Sequence, residues 1–307
     1  MKKYSVILDL DTGIDDAVAL AVATVLDNID IRLVTAVFGN VPLEKVVKNT
    51  LIILEDVNSN IPVAVGESKP IKMTDFSVSA HGKNGLGDYE HAISTQPIKT
   101  NYLKAMHDIV CNNDMTYIIS CGPLTNVAKF IMKYPELNDK VHLIAVTGLL
   151  EIDKKNPYLN FNIAKDVEAC KIAVSNYKHF TLVPSDMGHL SYIPTKDFSK
   201  TAKCGRVGKI FANMYPHHLD RSIKNGAAMH DMCGVIALSN PKLFTFKPCK
   251  VSLKIVKNGG YLDLNFDAKK CNAMVATGVN VKKIHKLYYK CFKKLKWDLS
   301  YVADDYF

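Results

Sequence analysis

The sequence predicts an open, mostly parallel, doubly wound α/β sheet with a Rossmann-like core. Three observations carry this. Short β-branched runs alternate with longer amphipathic segments over the first two thirds of the chain. Helix candidates lie between successive strand candidates, the alternation of a largely parallel sheet with helices on both faces. No internal repeat or low-complexity linker divides the 307 residues, so one domain spanning 1–307 is expected.

In order, the strands expected are Tyr4–Leu10, Ile31–Phe38, Pro62–Val65, Thr116–Ser120, Leu143–Thr147 and Phe180–Val183. The helices expected between them are Asp15–Asp27, Leu43–Val57, Tyr102–Asn112, Leu124–Tyr134 and Asp166–Val174. Beyond residue 200 the pattern changes. A helix over Ala202–Leu219 leads through a loop, Asp220–Ala228, to a second helix near His230–Ser239. Extra C-terminal strands follow at Phe246–Val256, Tyr261–Phe266 and Asn272–Ala276, then a final helix. Sheets of this kind take ligands at the carboxyl ends of their strands.

Composition excludes several function classes. Charged residues are 22% and hydrophobic residues 48%, a globular balance, and no apolar run is long enough for a membrane span. The N-terminus enters a strand-like run with no signal-peptide h-region. The net charge of +9 owes much to lysines in Lys282–Lys296, which alternate with Ile284, Leu287, Tyr288 and Phe292 at helical spacing. That is a solvated helix face rather than a nucleic-acid surface. None of the eight cysteines forms a CxxC pair and most lie in apolar stretches, so free thiols and a cytoplasmic location are expected.

The chemistry concentrates after the first strand, in Asp9-Leu10-Asp11-Thr12-Gly13-Ile14-Asp15-Asp16. Asp9 and Asp11 stand two apart on an extended segment and so share a side, while Asp15 and Asp16 open a helix. Capping accounts for Asp15 or Asp16. It does not account for two more acids at the end of an apolar strand. Four carboxylates in a partly dry cleft call for a cation, and oxygen donors favour Ca²⁺ or Mg²⁺ over zinc. The same strand-DxD start also resembles the haloacid dehalogenase phosphatases. There Asp is followed by Gly-Thr, whereas here Asp11 is followed by Thr12-Gly13, and no convincing lysine or late acidic motif completes that pattern.

Read whole, Asp9–Ala17 resembles the DTDPGIDDA signature of the nucleoside hydrolase family. Further segments resemble that family in the same order. They are Val37-Phe38-Gly39-Asn40, His81-Gly82-Lys83-Asn84-Gly85-Leu86-Gly87, Cys121–Ala128 (GPLTNxA), Asn160–Ala169 (EFNxxxDPEAA) and Met229-His230-Asp231. The resemblance implies the nucleoside hydrolase fold and Ca²⁺-dependent hydrolysis of the N-glycosidic bond of ribonucleosides, in purine and pyrimidine salvage. It implies that Asp11, Asp16, Asp231 and the Thr125 carbonyl hold Ca²⁺, with Asp11 also the general base. Asp15, Asn160 and Asn162 would contact ribose with Asn40 beside them. His81 would line the base pocket. His230 would act as proton donor or as a base contact. A homodimer or homotetramer acting on small nucleosides, with no nucleic acid or membrane, completes the expectation.

The sequence departs from the family pattern at Thr12, Phe38, Asn84 and Asn160. Asn160 stands where the family has a Glu at the ribose 5′ end, and Lys154 or Asn156 aligns with an upstream Asn. A 5′-phosphorylated or otherwise modified nucleoside, and a non-catalytic ribose- or calcium-binding relative, are therefore the alternative readings. The segment Met214–Arg221 is expected to cover the pocket, with Tyr215, His217, His218 and Arg221 able to reach a base or else to end a helix in solvent.

Overall fold

The structure is a computed structural model describing residues 3–72, 81–152, 160–218, 225–257 and 259–295. In chain order the elements begin β1 (Tyr4–Leu10), α1 (Ile14–Thr24), β2 (Ile29–Ala36), α2 (Leu43–Asp56) and β3 (Val63–Val65). They continue α3 (Tyr102–Cys111), β4 (Thr116–Ser120), α4 (Thr125–Lys133) and β5 (Val141–Val146). Then come α5 (Phe161–Lys165), α6 (Val167–Asn176), β6 (His179–Val183), α7 (Ser185–Leu190) and β7 (Ile193–Pro194). The chain goes on with α8 (Phe198–Ala202), α9 (Arg206–Met214), β8 (Gly226–Ala227) and α10 (His230–Ser239). It ends with β9 (Phe244–Val256), β10 (Gly259–Asn265), β11 (Ala273–Val279) and α11 (Val281–Lys294).

Nine strands form the central sheet, in the order β10-β9-β11-β6-β5-β4-β1-β2-β3. All neighbours pair in parallel except β9, which is antiparallel to both β10 and β11. The expected α/β class and its extra C-terminal strands are therefore present. The chain runs outward from β1 to β2 and β3, then returns to β4 on the other side of β1. Such a reversal opens a crevice beyond the carboxyl ends of β1 and β4, where open sheets take ligands.

Each face of the sheet carries its own core. On one face α1 packs against α10, and Ala17 to Val22 are wholly buried with Phe211, Met232, Ile236, Tyr288 and Phe292. On the other, Met106, Val127, Phe130, Ile131 and Ala173 fill the space under α3, α4 and α6. α1 is apolar all round because it is enclosed, and only its two opening acids are charged. α11 shows the expected division: Ile284, Tyr288 and Phe292 are buried while Lys282, Lys283, Lys286 and Lys290 are exposed.

Two expectations need correction. Of the helix expected over Ala202–Leu219 only Arg206–Met214 is α-helical beyond Ala202, the last residue of α8, because Gly205 lies at φ +117°, outside helical space, and Leu219 lies outside the described residues. Its end, Tyr215–His218, is a 3-10 turn containing Pro216. Within the loop expected at Asp220–Ala228, Gly226 and Ala227 pair with β7 as a small two-stranded sheet. Of the eight cysteines, Cys111 and Cys271 are exposed and the other six buried. Among the described residues no helix is long and apolar enough to cross a membrane.

Asp9 also departs from its expected place. β1 ends at Leu10, so Asp11 leaves the strand and the two-residue alternation no longer binds the pair. Asp9 faces Thr35 on β2 and Ser120 on β4 in register. Its carboxylate accepts hydrogen bonds from Thr35 Oγ1 (2.6 Å), Ser120 Oγ (2.9 Å) and Asn126 Nδ2 (2.8 Å). Burial pushes the Asp9 carboxyl up to about 6, partly offset by these donors. Asp9 is a strut across three elements beneath the crevice, not one of the acids gathered in it.

α2 braces the long connection between β3 and α3. Glu55 Oε1 accepts from the backbone N–H and hydroxyl of both Ser94 and Thr95, at 2.8–3.2 Å. Burial opposes its ionisation, but these donors outweigh it and hold the carboxyl down at about 2, against an ordinary 4.5. A depressed carboxylate stabilises the fold above its unfolded value and loses that contribution as pH falls through its folded value. Glu55→Gln should therefore cost about 1 kcal/mol at neutral pH, allowing for solvent screening. Denaturant midpoints of the two proteins should converge as pH falls from 4.5 towards 2. Asp9→Ala, which strands three buried donors, should cost roughly 2–5 kcal/mol in chemical denaturation, and Asp9→Asn less than half of that.

Candidate active site

The crevice beyond β1 and β4 is lined by acids from three places. Asp11 follows β1, Asp15 and Asp16 open α1, and Asp231 lies in the first turn of α10. Carboxylate oxygens of Asp15, Asp16 and Asp231 lie within 4.8 Å of one another. Asp11 stands close enough to Asp15, Asp16 and Asp231 to interact with each electrostatically. All four are almost fully buried.

Local geometry fixes each one. Asp11 Oδ2 accepts from the Asn40 backbone N–H at 2.8 Å. The turn that brings Asn40 there requires Gly39, since a Cβ at that position would lie 2.0 Å from the same oxygen. Asp16 Oδ2 accepts from Gly13 N–H (2.9 Å) and Asn40 Nδ2 (3.2 Å), so half of this carboxylate does cap α1. Its other oxygen, Oδ1, is buried with no hydrogen-bond partner. Asn40 thus orders the acids through its backbone N–H and its Nδ2.

Without positive charge these acids cannot all ionise. Burial, then repulsion from Asp16 and Asp15, drives the Asp11 carboxyl well above the usual carboxylate range. Burial, then Asp15, Asp16 and Asp11, does the same to Asp231. Asp16 is raised to about 7 by burial and by Asp15. Asp15 goes the other way: burial raises it, but His218, His81 and His230 together hold it below its ordinary value. An orphaned buried carboxylate oxygen among acids forced to hold protons fits a hard cation with oxygen ligands. Thr125, the first residue of α4, is buried, and its hydroxyl donates to Asp166 Oδ2 at 2.7 Å.

Histidines form the opposite wall. His81 Nδ1 accepts the Ile14 N–H at 3.3 Å, so the neutral ring carries its proton on Nε2, which lies 3.9 Å from Asp15 Oδ1. Burial and the neighbouring His218 push His81 down to about 3. His218 stacks on it at 4.5 Å, and its Nε2 donates to the Ala228 carbonyl (3.1 Å) while lying 3.9 Å from Asp15 Oδ2. Both Nε2 atoms carry hydrogen, so Asp15, His81 and His218 form a hydrogen-bonding wall and not a second metal site. His230 Nδ1 donates to the Ser185 carbonyl at 3.0 Å, leaving Nε2 as the atom that can gain or lose a proton.

On the remaining side Asn162 Nδ2 donates to the carbonyls of Cys121 (2.5 Å) and Val146 (3.2 Å), at the ends of β4 and β5. Asn160 is held as a neutral group, accepting from Thr147 Oγ1 (2.7 Å) and donating to Ser185 Oγ (3.1 Å). Lys154, Asn156 and Arg221 lie outside the described residues. Tyr215 does not reach the crevice: it is fully buried, its hydroxyl bonded to that of Tyr288. Sequence reasoning missed two groups. Lys165, half-buried on α5, lies within electrostatic range of Asp11, and Cys121 is a buried thiol beside the acids. Neither carries a spacing signal, since each reaches the site through a turn at a strand or helix end.

Comparison with known proteins identifies the family of the chain. A model of the inosine-uridine preferring nucleoside hydrolase family matches residues 6–286. The non-specific ribonucleoside hydrolase RihC of Salmonella paratyphi B is 32% identical over 254 residues, covering 81% of this chain and 83% of the relative. The enzyme of that name from Shigella dysenteriae serotype 1 is 31% identical over 291 residues, 91% of this chain and 95% of the relative. Among solved structures, a purine-preferring ribonucleoside hydrolase from Gardnerella vaginalis superposes with a TM-score of 0.87 at 23% identity, covering 95% of this chain and 98% of that one. The inosine-uridine preferring nucleoside hydrolase of Bacillus anthracis gives a TM-score of 0.80 at 16% identity, covering 96% and 100%. With its acids gathered at the reversal of a mostly parallel sheet, the chain belongs to the nucleoside hydrolase family and is an N-ribosyl hydrolase.

Proposed function

We propose that this protein hydrolyses free ribonucleosides to base and ribose, using Ca²⁺ held by Asp11, Asp16, Asp231 and the Thr125 carbonyl. The observation that carries the reading is the meeting of four buried aspartates around one unpaired carboxylate oxygen, Asp16 Oδ1. When bound, the ion supplies charge that lets the acids ionise and renders a water molecule more acidic.

Asp11, its Oδ2 fixed by Asn40, takes a proton from the attacking water, whose oxygen bonds the anomeric carbon as the bond to the base breaks. Asp15, the acid of the four whose carboxyl lies below its ordinary value, accepts hydrogen bonds from the ribose hydroxyls. Asn162 assists with the carbonyl oxygen that its two backbone contacts leave over. The surrounding carboxylates favour the oxocarbenium-like transition state. The departing base takes a proton from His230 Nε2, while the Nδ1 contact to Ser185 supports the imidazolium. Neutral His81 and the His218 ring stacked on it present ring N–H groups and apolar faces to the base. That suits recognition shared by purines and pyrimidines, in line with relatives named non-specific. Salvage in the cytoplasm as a homodimer or homotetramer is the setting we infer. Asn160 leaves the 5′ side uncharged, and with so many acids nearby a free 5′ hydroxyl is the better substrate than a phosphate.

The test is release of free ribose from a nucleoside panel. Hydrolysis should disappear with chelator and return with Ca²⁺. Asp11→Asn should lower kcat by roughly 10²–10⁴. No release from any nucleoside, with Ca²⁺ present, would leave a binding protein instead. A 5′-monophosphate cleaved faster than its nucleoside would overturn the substrate assignment. His230→Ala should lower kcat by a similar ~10²–10⁴ if it donates the proton, whereas a raised KM at unchanged kcat would make it a base contact.

A further inference from the structure

The wall that faces the base is built from two segments far apart in sequence. His81 lies on the connection between β3 and α3, where its carbonyl accepts from Gly87 N–H, and His218 ends the 3-10 turn that follows α9. They meet at their tips, where the rings of His81 and His218 stack at 4.5 Å. Close by, Gly87 packs against His217, since a Cβ there would lie 2.9 Å from that ring. His81 holds a backbone φ of +73°, an unfavourable conformation for a residue with a side chain, so its turn needs external support.

The same two segments meet a second time, away from the crevice, on one carboxylate. Asp56, the last residue of α2, is 1% exposed. Its Oδ2 accepts from Tyr89 Oη at 2.9 Å, on the connection that carries His81. Its Oδ1 accepts from Arg206 Nη2 at 2.8 Å, at the first residue of the helix that leads to His218. His91 Nδ1 lies 3.4 Å from the same Oδ1. Asp56 has no hydrogen bond or ion pair to Asp11, Asp15, Asp16 or Asp231, so it has no part in the chemistry itself.

We propose that Asp56 is a positioning residue that pins the His81 segment and the His218 segment to α2 and to each other, fixing the nucleobase pocket. This rests on the hydrolase reading above, but the pin can be tested apart from it. A buried carboxylate with one donor from each segment couples them: loosening either partner leaves the charge short of a bond and weakens the hold on the other. The acids after β1 and on α1 and α10 stand on other elements, and the one that faces these histidines, Asp15, is placed at the ribose, so the effect should fall on substrate binding more than on bond cleavage.

The experiment uses the full-length protein and two substitutions that spare the buried carboxylate. Arg206→Gln alters an exposed side chain, and Tyr89→Phe removes one hydroxyl. Amide hydrogen exchange should report the coupling. Arg206→Gln should speed exchange across residues 81–91 by about tenfold, and Tyr89→Phe should do the same across 206–218, with α4 unchanged. Where nucleosides are cleaved, Arg206→Gln should raise KM by roughly 5- to 20-fold with kcat within about twofold, and Arg206→Lys should recover most of the loss. Exchange that rises only in the substituted segment, or kcat and KM that both stay put, would overturn the pin. A wild-type protein that cleaves no nucleoside would defeat the hydrolase reading alone, and the exchange cross-talk would still decide this one.

Discussion

Four carboxylates buried together oppose folding: each wants water, and each repels the others. Desolvating an ion costs several kcal/mol even after relaxation, so the cluster exists only because specific groups oppose that cost. Some are neutral donors, such as the Asn40 and Gly13 backbone N–H groups. Others are the start of α1, whose aligned peptides favour negative charge, and the three histidines around Asp15. Asp16 Oδ1 still lacks a partner. The protein therefore holds a region that is strained by design of its chemistry, and the rest of the fold serves to contain it.

Containment explains the layout. The acids sit where the sheet reverses direction, so strands and helices on both sides wall them off from water. α1, which carries two of them, is enclosed by α10, which carries a third, and both are apolar along the rest of their length. Below the crevice Asp9 ties β1 to β2, β4 and α4 at the point where β1 gives way to the acidic turn. A carboxylate is a good tie there because it accepts several bonds at once. The segment thus uses one aspartate for mechanics and its neighbours for chemistry.

This division limits what was legible in the sequence. The strand-helix alternation announced the sheet, because parallel strands buried on both faces read as continuous apolar runs. The acids after β1 were visible because so many in one turn fit no structural need. Asp9 was misjudged because strand alternation was extended past Leu10, where the strand ends. The break at Gly205 was hidden because the helical apolar pattern continues across it. Tyr215 was offered as a base contact on residue type alone, while its partner Tyr288 lies in the last helix, a pairing no local pattern reveals. Asn160 and Asn40 show the same limit from the other side: the sequence marks them as polar groups near the site, but only geometry tells that other protein atoms already engage them.

Floor and wall of the pocket obey different constraints. The floor is fixed by the demand that four acids meet, and few substitutions satisfy it: Gly39 admits no Cβ against Asp11. The wall is a pair of loop-borne histidines whose only shared requirements are contact at the tip and support at the base. The two sets stand on different elements, but Asp15 lies between them: His81 and His218 each place Nε2 3.9 Å from its carboxylate. Replacing either histidine would therefore change the surroundings of Asp15 as well as the wall, so the wall cannot be redrawn without regard to the acid beside it.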